Sequence, residues 1–207
     1  MQDADSLIFL PSFLNMLNGI QVLRLMDWFV TNNNPLNSWS DRPTITAATY
    51  STKGVPYEIA IALANLSGKE IWVNVPAMVD ESYILQMATL FKQLLNPNSV
   101  FYIEYSNELW NFEFLQSGYN VEQAIQMMKS NMTFLNFDNV NNEFQWAFRR
   151  TAYMAMRISD IFAQVFGESK RNVQFRVVLA GQGANSFIIT TGLDMISKVF
   201  GPPSQYF

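Results

Sequence analysis

The sequence predicts an α/β fold with a parallel sheet, and three observations carry that prediction. Four short runs are nearly continuous in apolar residues, as is typical of parallel strands covered on both faces. These runs are residues 20–28, 70–75, 100–106 and 173–180. Helical patterns follow each run, and an alternation of strand and helix indicates a parallel sheet. Finally, 49% of the 207 residues are hydrophobic, which is enough to bury a sizeable core.

The helices between these runs are marked by their own boundary residues. The helical segments are residues 55–66, 82–95, 113–130, 141–166 and 185–200. In the first of them, Pro56 lies near the start and Gly68 just past the end, which is the usual asymmetry of helix termini. The second begins at Ser82, a residue type that caps helices well. We therefore expect four strands, each followed by at least one helix.

Composition excludes several classes of function. The net charge is −4 with no basic cluster, which gives a nucleic-acid partner no electrostatic basis. No apolar run reaches the roughly 18 to 20 residues of a membrane span. The chain contains no His and no Cys, which removes Ser-His-Asp and Cys-His catalysis and the usual zinc sites. No metal or other cofactor is expected, and acid–base chemistry falls to carboxylates, Tyr or Lys.

A long polar loop separates the first run from the first helix. It spans about residues 29–55, and a loop longer than about 12 to 15 residues in a compact domain is usually functional. No glycine-rich phosphate-binding motif follows any strand, so a (β/α)₈ TIM barrel is favoured over a nucleotide-binding sheet. Four strand–helix units are about half of such a barrel, so residues 1–207 are expected to form one partial barrel domain without a second domain. The chain alone should then be poorly soluble and expose Leu23, Leu25, Ile103 and Val177.

The strongest candidate site follows the third run. That strand leads directly into Ser106, Asn107 and Glu108, with Trp110 two residues further on. A carboxyl group at the end of a buried strand must be desolvated or used. A neighbouring indole favours its protonated form, which a general acid requires, while Asn107 can donate to a sugar hydroxyl and Trp110 can stack on a sugar. The alternative is a helix N-terminus with Asn107 as its cap and Glu108 in its first turn.

Here the residues carry a resemblance to a known family. The segment VFYIEYSNELWN resembles strand four of glycoside hydrolase clan A, retaining glycosidases on (β/α)₈ barrels whose acid/base Glu follows an Asn. Five further segments resemble a branch of clan-A-like barrel proteins, in the same order over about residues 9–190. They are VLRLMDW, TNNNPLNSWSDRP, GVPYEIAIALAN, IWVNVPAMVDESYI and VVLAGQGANSF.

The resemblance assigns roles to particular residues. It implies that the four runs are strands two to five, that Glu108 is the acid/base and that Arg24 is the clan's buried Arg near the nucleophile. The clan's nucleophile lies on strand seven, outside this sequence, so residues 1–207 alone are expected to be inactive. One position departs from related barrels, which often carry His where this chain has Ala77.

Other polar and aromatic residues are candidates for substrate binding. These residues are Arg24, Asp27, Trp28, Trp39, Arg42, Asn74 and Gln182. Several have a structural alternative: Asp27 can act as a cap, and Trp39 can pin the long loop to the domain. Arg24 and Glu104 both lie in the middle of a predicted strand, where they can form an interior ion pair.

The leading function is carbohydrate hydrolysis, and the alternative is a non-catalytic protein on the same barrel. That alternative is an extracellular structural or carbohydrate-binding protein, with this chain as part of a larger assembly. The expected partners are carbohydrate and either other chains or the rest of the same polypeptide. Sequons at Asn65 and Asn131 favour an extracellular glycoprotein. Asp3 and Asp5 stand where an export signal carries basic residues, so no such signal is expected in this segment.

Overall fold

A computed structural model describes residues 8–207, along which strands and helices alternate. The main elements are α1 Pro11–Met16, β1 Val22–Arg24, α2 Tyr57–Ser67, β2 Glu70–Val75, α3 Glu81–Leu94, β3 Phe101–Tyr105, α4 Leu115–Lys129, α5 Glu143–Phe166, β4 Phe175–Val178 and α6 Ser186–Val199. Helices α2 to α6 lie within two residues of their predicted ends. The acidic N-terminal stretch with Asp3 and Asp5 lies outside the described residues.

The strands form a parallel sheet in chain order. Within residues 8–207, β1 pairs with β2, β2 with β3 and β3 with β4, all in parallel. The predicted parallel α/β fold is therefore confirmed. Because all four strands run the same way, the loops that follow them leave from one edge of the sheet. The candidate residues predicted at strand ends should therefore lie along this edge.

Among residues 8–207, the core helices cover one face of the sheet. Alternate residues of β2 and β3, including Val73 and Ile103, are fully buried on that face, and α3 and α5 pack over the core there. The expected exposure of Leu25, Ile103 and Val177 is wrong: they are 5%, 0% and 5% exposed. Strand side chains alternate between faces, so these apolar residues face the helices, and Leu23 packs partly buried against the same core.

The opposite face is polar and incompletely covered by the described residues. It carries Arg24, Trp72, Tyr102 and Arg176, none of them fully buried. Tyr102 donates to Glu70 Oε2 at 2.9 Å and accepts from Arg176 Nη1 at 2.9 Å. Hydrogen bonds between neighbouring strands thus satisfy much of this face.

The first strand is shorter than predicted. β1 ends at Arg24 because the chain then turns, with Phe29 N donating to Leu25 O and Thr31 N donating to Met26 O. Val30 in this turn has a left-handed φ of +47°. The following loop runs over the carboxyl edge of the sheet.

Two helix boundaries show how local chemistry sets the ends. α2 stands between Pro56 and Gly68, and Gly68 adopts the left-handed conformation that glycine tolerates best. α3 is capped by Asp80, whose carboxylate accepts from Tyr83 N at 2.8 Å, so the expected cap at Ser82 is wrong. Asp80 precedes the helix by one residue and is the better placed acceptor.

A short helix not expected from the sequence precedes the sheet. α1 begins at Pro11 and places Phe13 against Trp28, with ring centroids 6.4 Å apart. Among residues 8–207, no helix combines the length and apolar character needed to cross a membrane.

Candidate functional site

A cavity of about 320 Å³ opens at the carboxyl edge of the sheet. Its charged lining residues are Arg24 at the end of β1, Glu104 in β3, and Glu108 in the turn that follows β3. The cavity is at the lower end of the volume range typical of ligand sites. Residues from strands that are far apart in sequence thus meet at this one cavity.

The turn after β3 is held in an unusual backbone conformation. Ser106 and Glu108 have φ values of +57° and +44°, a left-handed region that costs a non-glycine residue about 1 to 3 kcal/mol. Asn74 Nδ2 donates to Ser106 O at 2.7 Å, and Ser117 Oγ donates to Glu108 O at 3.2 Å. The surrounding structure thus fixes a strained turn that places Asn107 and Glu108 on the cavity.

No helix begins at this turn, so the alternative of a helix cap at Asn107 is wrong. α4 starts only at Leu115. Asn107 is 5% exposed, accepts from Arg24 Nη2 at 2.8 Å and donates to Asn32 Oδ1 at 3.0 Å. In this structure its amide therefore positions Arg24 and the loop after β1.

Glu104 is the buried carboxylate of the site. Its Oε2 atom accepts from Arg24 Nη2 at 2.9 Å, Trp72 Nε1 at 2.9 Å and Asn74 Nδ2 at 3.1 Å. The predicted ion pair between Arg24 and Glu104 is confirmed. Three donors, one of them charged, thus satisfy this carboxylate in a site where it is only 2% exposed.

Arg24 extends from this pair into the cavity. Its guanidinium lies over the Trp72 ring, 5.2 Å from the centroid, and its side chain is 39% exposed. Donors that are not directed at Glu104 or Asn107 can therefore meet a ligand.

Glu108 and Trp110 line the same cavity. The Glu108 carboxylate accepts one hydrogen bond, from Asn111 Nδ2 at 3.0 Å, and is partly exposed. A carboxyl group that is fixed by its backbone, oriented by one amide and open to the cavity can exchange a proton with a bound ligand.

Two buried polar atoms below the turn have no protein partner within residues 8–207. They are Asn74 Oδ1 and Ser106 Oγ. Buried polar atoms are almost always hydrogen-bonded in native proteins. These unpaired atoms and the strained turn therefore both lower the stability of the fold next to this cavity.

An amide network ties the loop after β1 to this turn. Gln116 Nε2 donates to Asn32 Oδ1 at 2.8 Å and to Asn107 O at 3.0 Å. Asn33 N donates to Gln116 Oε1 at 2.8 Å, and Asn33 Oδ1 accepts from Leu115 N at 2.8 Å. This network, the amide latch, thus joins the loop after β1 to the turn after β3 and to the first turn of α4 through uncharged groups.

Sequence reasoning missed Trp72, Asn32 and Gln116. Trp72 could have been found from the alternation in β2, which separates Trp72 and Asn74 from its apolar residues. The run of Asn residues was a signal for the latch, but nothing in the sequence identifies Gln116 as its partner.

Trp39 and Arg42 do not line the cavity. Arg42 lies over the Trp39 ring at 4.4 Å and binds Glu58 through two hydrogen bonds of 2.8 and 3.3 Å. Trp39 also packs edge-on against Tyr83, with centroids 5.0 Å apart. Their contacts fit the structural alternative, in which they pin the long loop to α2 and α3.

Three further candidates also lie outside the cavity lining. Asp27 is exposed in the turn after β1, and Trp28 packs against Phe13. Gln182 accepts from Asn185 Nδ2 at 3.4 Å, while its neighbours Gly181 and Gly183 do line the cavity. The structure therefore brings together Arg24, Asn107, Glu108 and Trp110 of the predicted site, with Asn74 beneath them.

The two sequons differ in accessibility. Asn65 uses its side chain to join α2 to the end of α3, with Nδ2 donating to Leu94 O and Oδ1 accepting from Asn96 N, both at 2.8 Å. Asn131 is exposed in the turn after α4, with a φ of +62°. Of the two sequon asparagines, Asn131 thus has its side chain free of the contacts between helices that hold Asn65.

Comparison with known proteins adds no relative. No protein-family model, no curated protein and no solved structure matches the chain. The chemistry assigned to the cavity therefore rests on its own residues and their geometry.

Proposed function

We propose that this chain forms part of a retaining glycoside hydrolase in which Glu108 is the acid/base. The observation that carries the proposal is the strained turn that holds Asn107 and Glu108 on a cavity at the carboxyl edge of the sheet. Strained backbone clusters at active sites, where the surrounding structure offsets its cost. The resemblance of this segment to glycoside hydrolase clan A supports the same assignment.

We also propose that the sheet belongs to a (β/α)₈ barrel. A doubly wound sheet carries helices on both faces and reverses its strand order. Here the strands follow chain order, and the core helices cover one face while the other face is polar. Helices on the outer side alone are typical of a barrel.

The mechanism that follows uses Glu108 twice. Its protonated form donates to the glycosidic oxygen as the bond from that oxygen to the anomeric carbon breaks. A second carboxylate attacks the anomeric carbon and forms a glycosyl ester. Water then cleaves the ester while Glu108 takes the proton from that water. The resemblance assigns this nucleophile to a seventh strand, which lies outside this sequence.

The first prediction tests Glu108 directly. In the full-length protein, Glu108→Gln should lower the hydrolysis of aryl glycosides by about 10²-fold or more, because the amide cannot donate a carboxylic proton. Glu113→Gln is the matched control, since Glu113 is exposed in the same loop and outside the cavity lining. It should leave turnover unchanged. Equal turnover in both variants removes Glu108 from the mechanism.

The alternative function is a non-catalytic extracellular carbohydrate-binding or structural protein. It is favoured by one observation: among the described residues, the only carboxylate sharing the cavity with Glu108 is Glu104, and three donors already hold its Oε2. Under this alternative the wild type binds glycans without turnover, and Glu108→Gln does not change that absence of turnover.

A further inference from the structure

The cavity has two chemically different walls. One wall is polar and contains Arg24, Glu104 and Asn107, which come from β1, β3 and the turn after β3. The other wall is apolar and is formed by the end of β4 together with α5 and α6. Its main residues are Phe148, Ala155, Val178, Leu179, Ala180 and Ile188. A ligand that fills the whole cavity must therefore have one polar end and one apolar end.

The apolar wall continues out of the cavity along α5. Phe148 and Ala155 lie on one side of the helix, and Phe144 lies one turn before Phe148. Phe144 is 46% exposed and packs edge-on against Phe112, which is 55% exposed, with centroids 5.4 Å apart. Clustered exposed apolar side chains beside a cavity mark a binding surface. The apolar side of α5 thus extends from Phe148, in the cavity lining, to the exposed pair of Phe144 and Phe112.

Glu108 lies next to the boundary between the two walls. It lines the cavity from the turn after β3, and β3 is the sheet neighbour of β4, whose end contributes to the apolar wall. A general acid acts on the oxygen that joins a sugar to its aglycone. Glu108 therefore lies where a sugar on the polar wall would meet a different group on the apolar wall.

From this arrangement, and resting on the proposed function, we infer that the substrate is a glycoside with an apolar aglycone. The sugar binds the polar wall, and an alkyl or aryl aglycone lies along the Phe148 wall toward Phe112 and Phe144. A second sugar unit would find few hydrogen-bond partners on that wall. The Thr151 hydroxyl of that wall already donates to Ala147 O and accepts from Asn120 Nδ2. Each methylene buried there should strengthen association by about fourfold.

Gly183 offers a way to block the apolar wall without removing any core side chain. It lines the cavity in an exposed segment, and a Cβ built on it meets no atom within 4 Å. Gly183→Leu should therefore fill the aglycone space with little strain. Gly118→Leu is the matched control, because Gly118 is exposed on α4 outside the cavity lining and a Cβ there also meets nothing.

The experiment measures binding to the full-length protein by calorimetry, with Glu108→Gln as background so that no ligand is consumed. The probes are methyl and n-octyl glycosides of the same four sugars (glucose, galactose, mannose and xylose), together with 1-octanol. For at least one sugar, the octyl glycoside should bind at least ten times more tightly than the methyl glycoside. Gly183→Leu should abolish that advantage, and Gly118→Leu should keep it.

Each outcome decides the inference separately from the proposed function. Three results would overturn the inference of an apolar aglycone. They are equal binding of methyl and octyl glycosides, an octyl advantage that persists in Gly183→Leu, and binding of 1-octanol as tight as that of the octyl glycoside. Phe144→Ser, at the exposed end of the wall, should weaken octyl binding by a smaller factor in the same direction. Octyl binding that depends on Gly183, with no hydrolysis by the wild-type protein, supports the ligand class and removes the catalytic proposal.

Discussion

At the scale of single residues, Arg24 links the two parts of the cavity's polar wall. One guanidinium nitrogen donates to both Glu104 Oε2 and Asn107 Oδ1. The strand that carries the buried carboxylate and the turn that carries Glu108 are therefore held by the same atom. A change at Arg24 affects both.

Arg24→Met tests the stability that this link supplies. It removes the charged donor of a buried carboxylate, so the free energy of unfolding should fall by about 1 to 3 kcal/mol. The loss should be smaller than for a fully buried pair, because Arg24 is partly exposed to solvent. Arg176→Met is the control on the same sheet face, where an exposed Arg donates to Tyr102. That variant should change stability by less than about 0.5 kcal/mol. Urea unfolding measures both, and equal losses would contradict the role of Arg24.

Sequence patterns identify residues at this scale only where chemistry and position coincide. Glu108 and Asn107 could be singled out because a polar pair at a strand end is unusual in a core. The contact of Arg24 with Glu104 was also accessible, since both are charged and mid-strand. The alternation in β2 could place Trp72 on the polar face, but its contact with Glu104 depends on the register between β2 and β3. Gln116, at the start of α4, meets the site only because the loop after β1 folds against it, and local sequence does not predict that contact.

At the scale of elements, the long loop after β1 is closed at its base by Gly54. Gly54 has a φ of +85°, and a Cβ there would lie 2.6 Å from the carbonyl carbon of Phe29. Beside it, Val55 N donates to Trp28 O at 2.7 Å. The two ends of the loop are thus pressed backbone against backbone.

Gly54→Ala should lower the free energy of unfolding more than Gly68→Ala does. Both glycines have positive φ, so each substitution costs about 1 to 2 kcal/mol of backbone strain. Only Gly54 adds a clash with backbone, because a Cβ on Gly68 meets nothing within 4 Å. The excess for Gly54→Ala should be about 1 to 3 kcal/mol, measured by thermal or urea unfolding. Equal losses of stability in the two variants would contradict this prediction, because they would mean that the Phe29 backbone moves away from the new Cβ at no cost.

Elements were predicted well where their boundaries are local. The strand at Glu70–Val75 has its predicted bounds, and α2 lies between Pro56 and Gly68 as expected. The first strand was predicted too long, because three of the residues 25–28 are apolar and yet the segment turns, with backbone hydrogen bonds from later loop residues. Apolar content alone does not distinguish a strand from a buried turn.

At the scale of the whole molecule, the side chains change their charge mainly at acidic and at alkaline pH. The chain has no His and no Cys, so no side chain has an ordinary pKa near neutrality. Hydrogen bonds from Arg157, Arg149 and Arg171 lower the pKa values of three carboxyl groups. These are Glu81, Asp138 and Glu168. Burial raises the pKa of Tyr57, and burial raises the pKa of Tyr83 to about 12.

Stability should therefore be flat between about pH 6 and 9 and fall on both sides. The lowered carboxyl pKa values stabilise the fold above their unfolded values, near about 4, and that stability is lost as the pH falls through the folded values. The raised Tyr pKa values stabilise it below about pH 10 and that stability is lost as the pH rises toward the folded values. Urea midpoints across pH 3 to 11 measure this. A transition near pH 7 would contradict it, and Arg157→Met should make the acid limb shallower.

The amide latch has a consequence for how this protein can diversify. The loop after β1 is anchored by Asn32 and Asn33 at one end and by Gly54 at the other, whereas residues 44–51 make exposed hydrogen bonds mainly among themselves. Tyr50 O accepts from Gly54 N, so it belongs to the second anchor. Insertions or replacements within residues 44–49 should leave both anchors and the sheet in place. The protein can therefore vary one exposed peptide segment at little risk to folding.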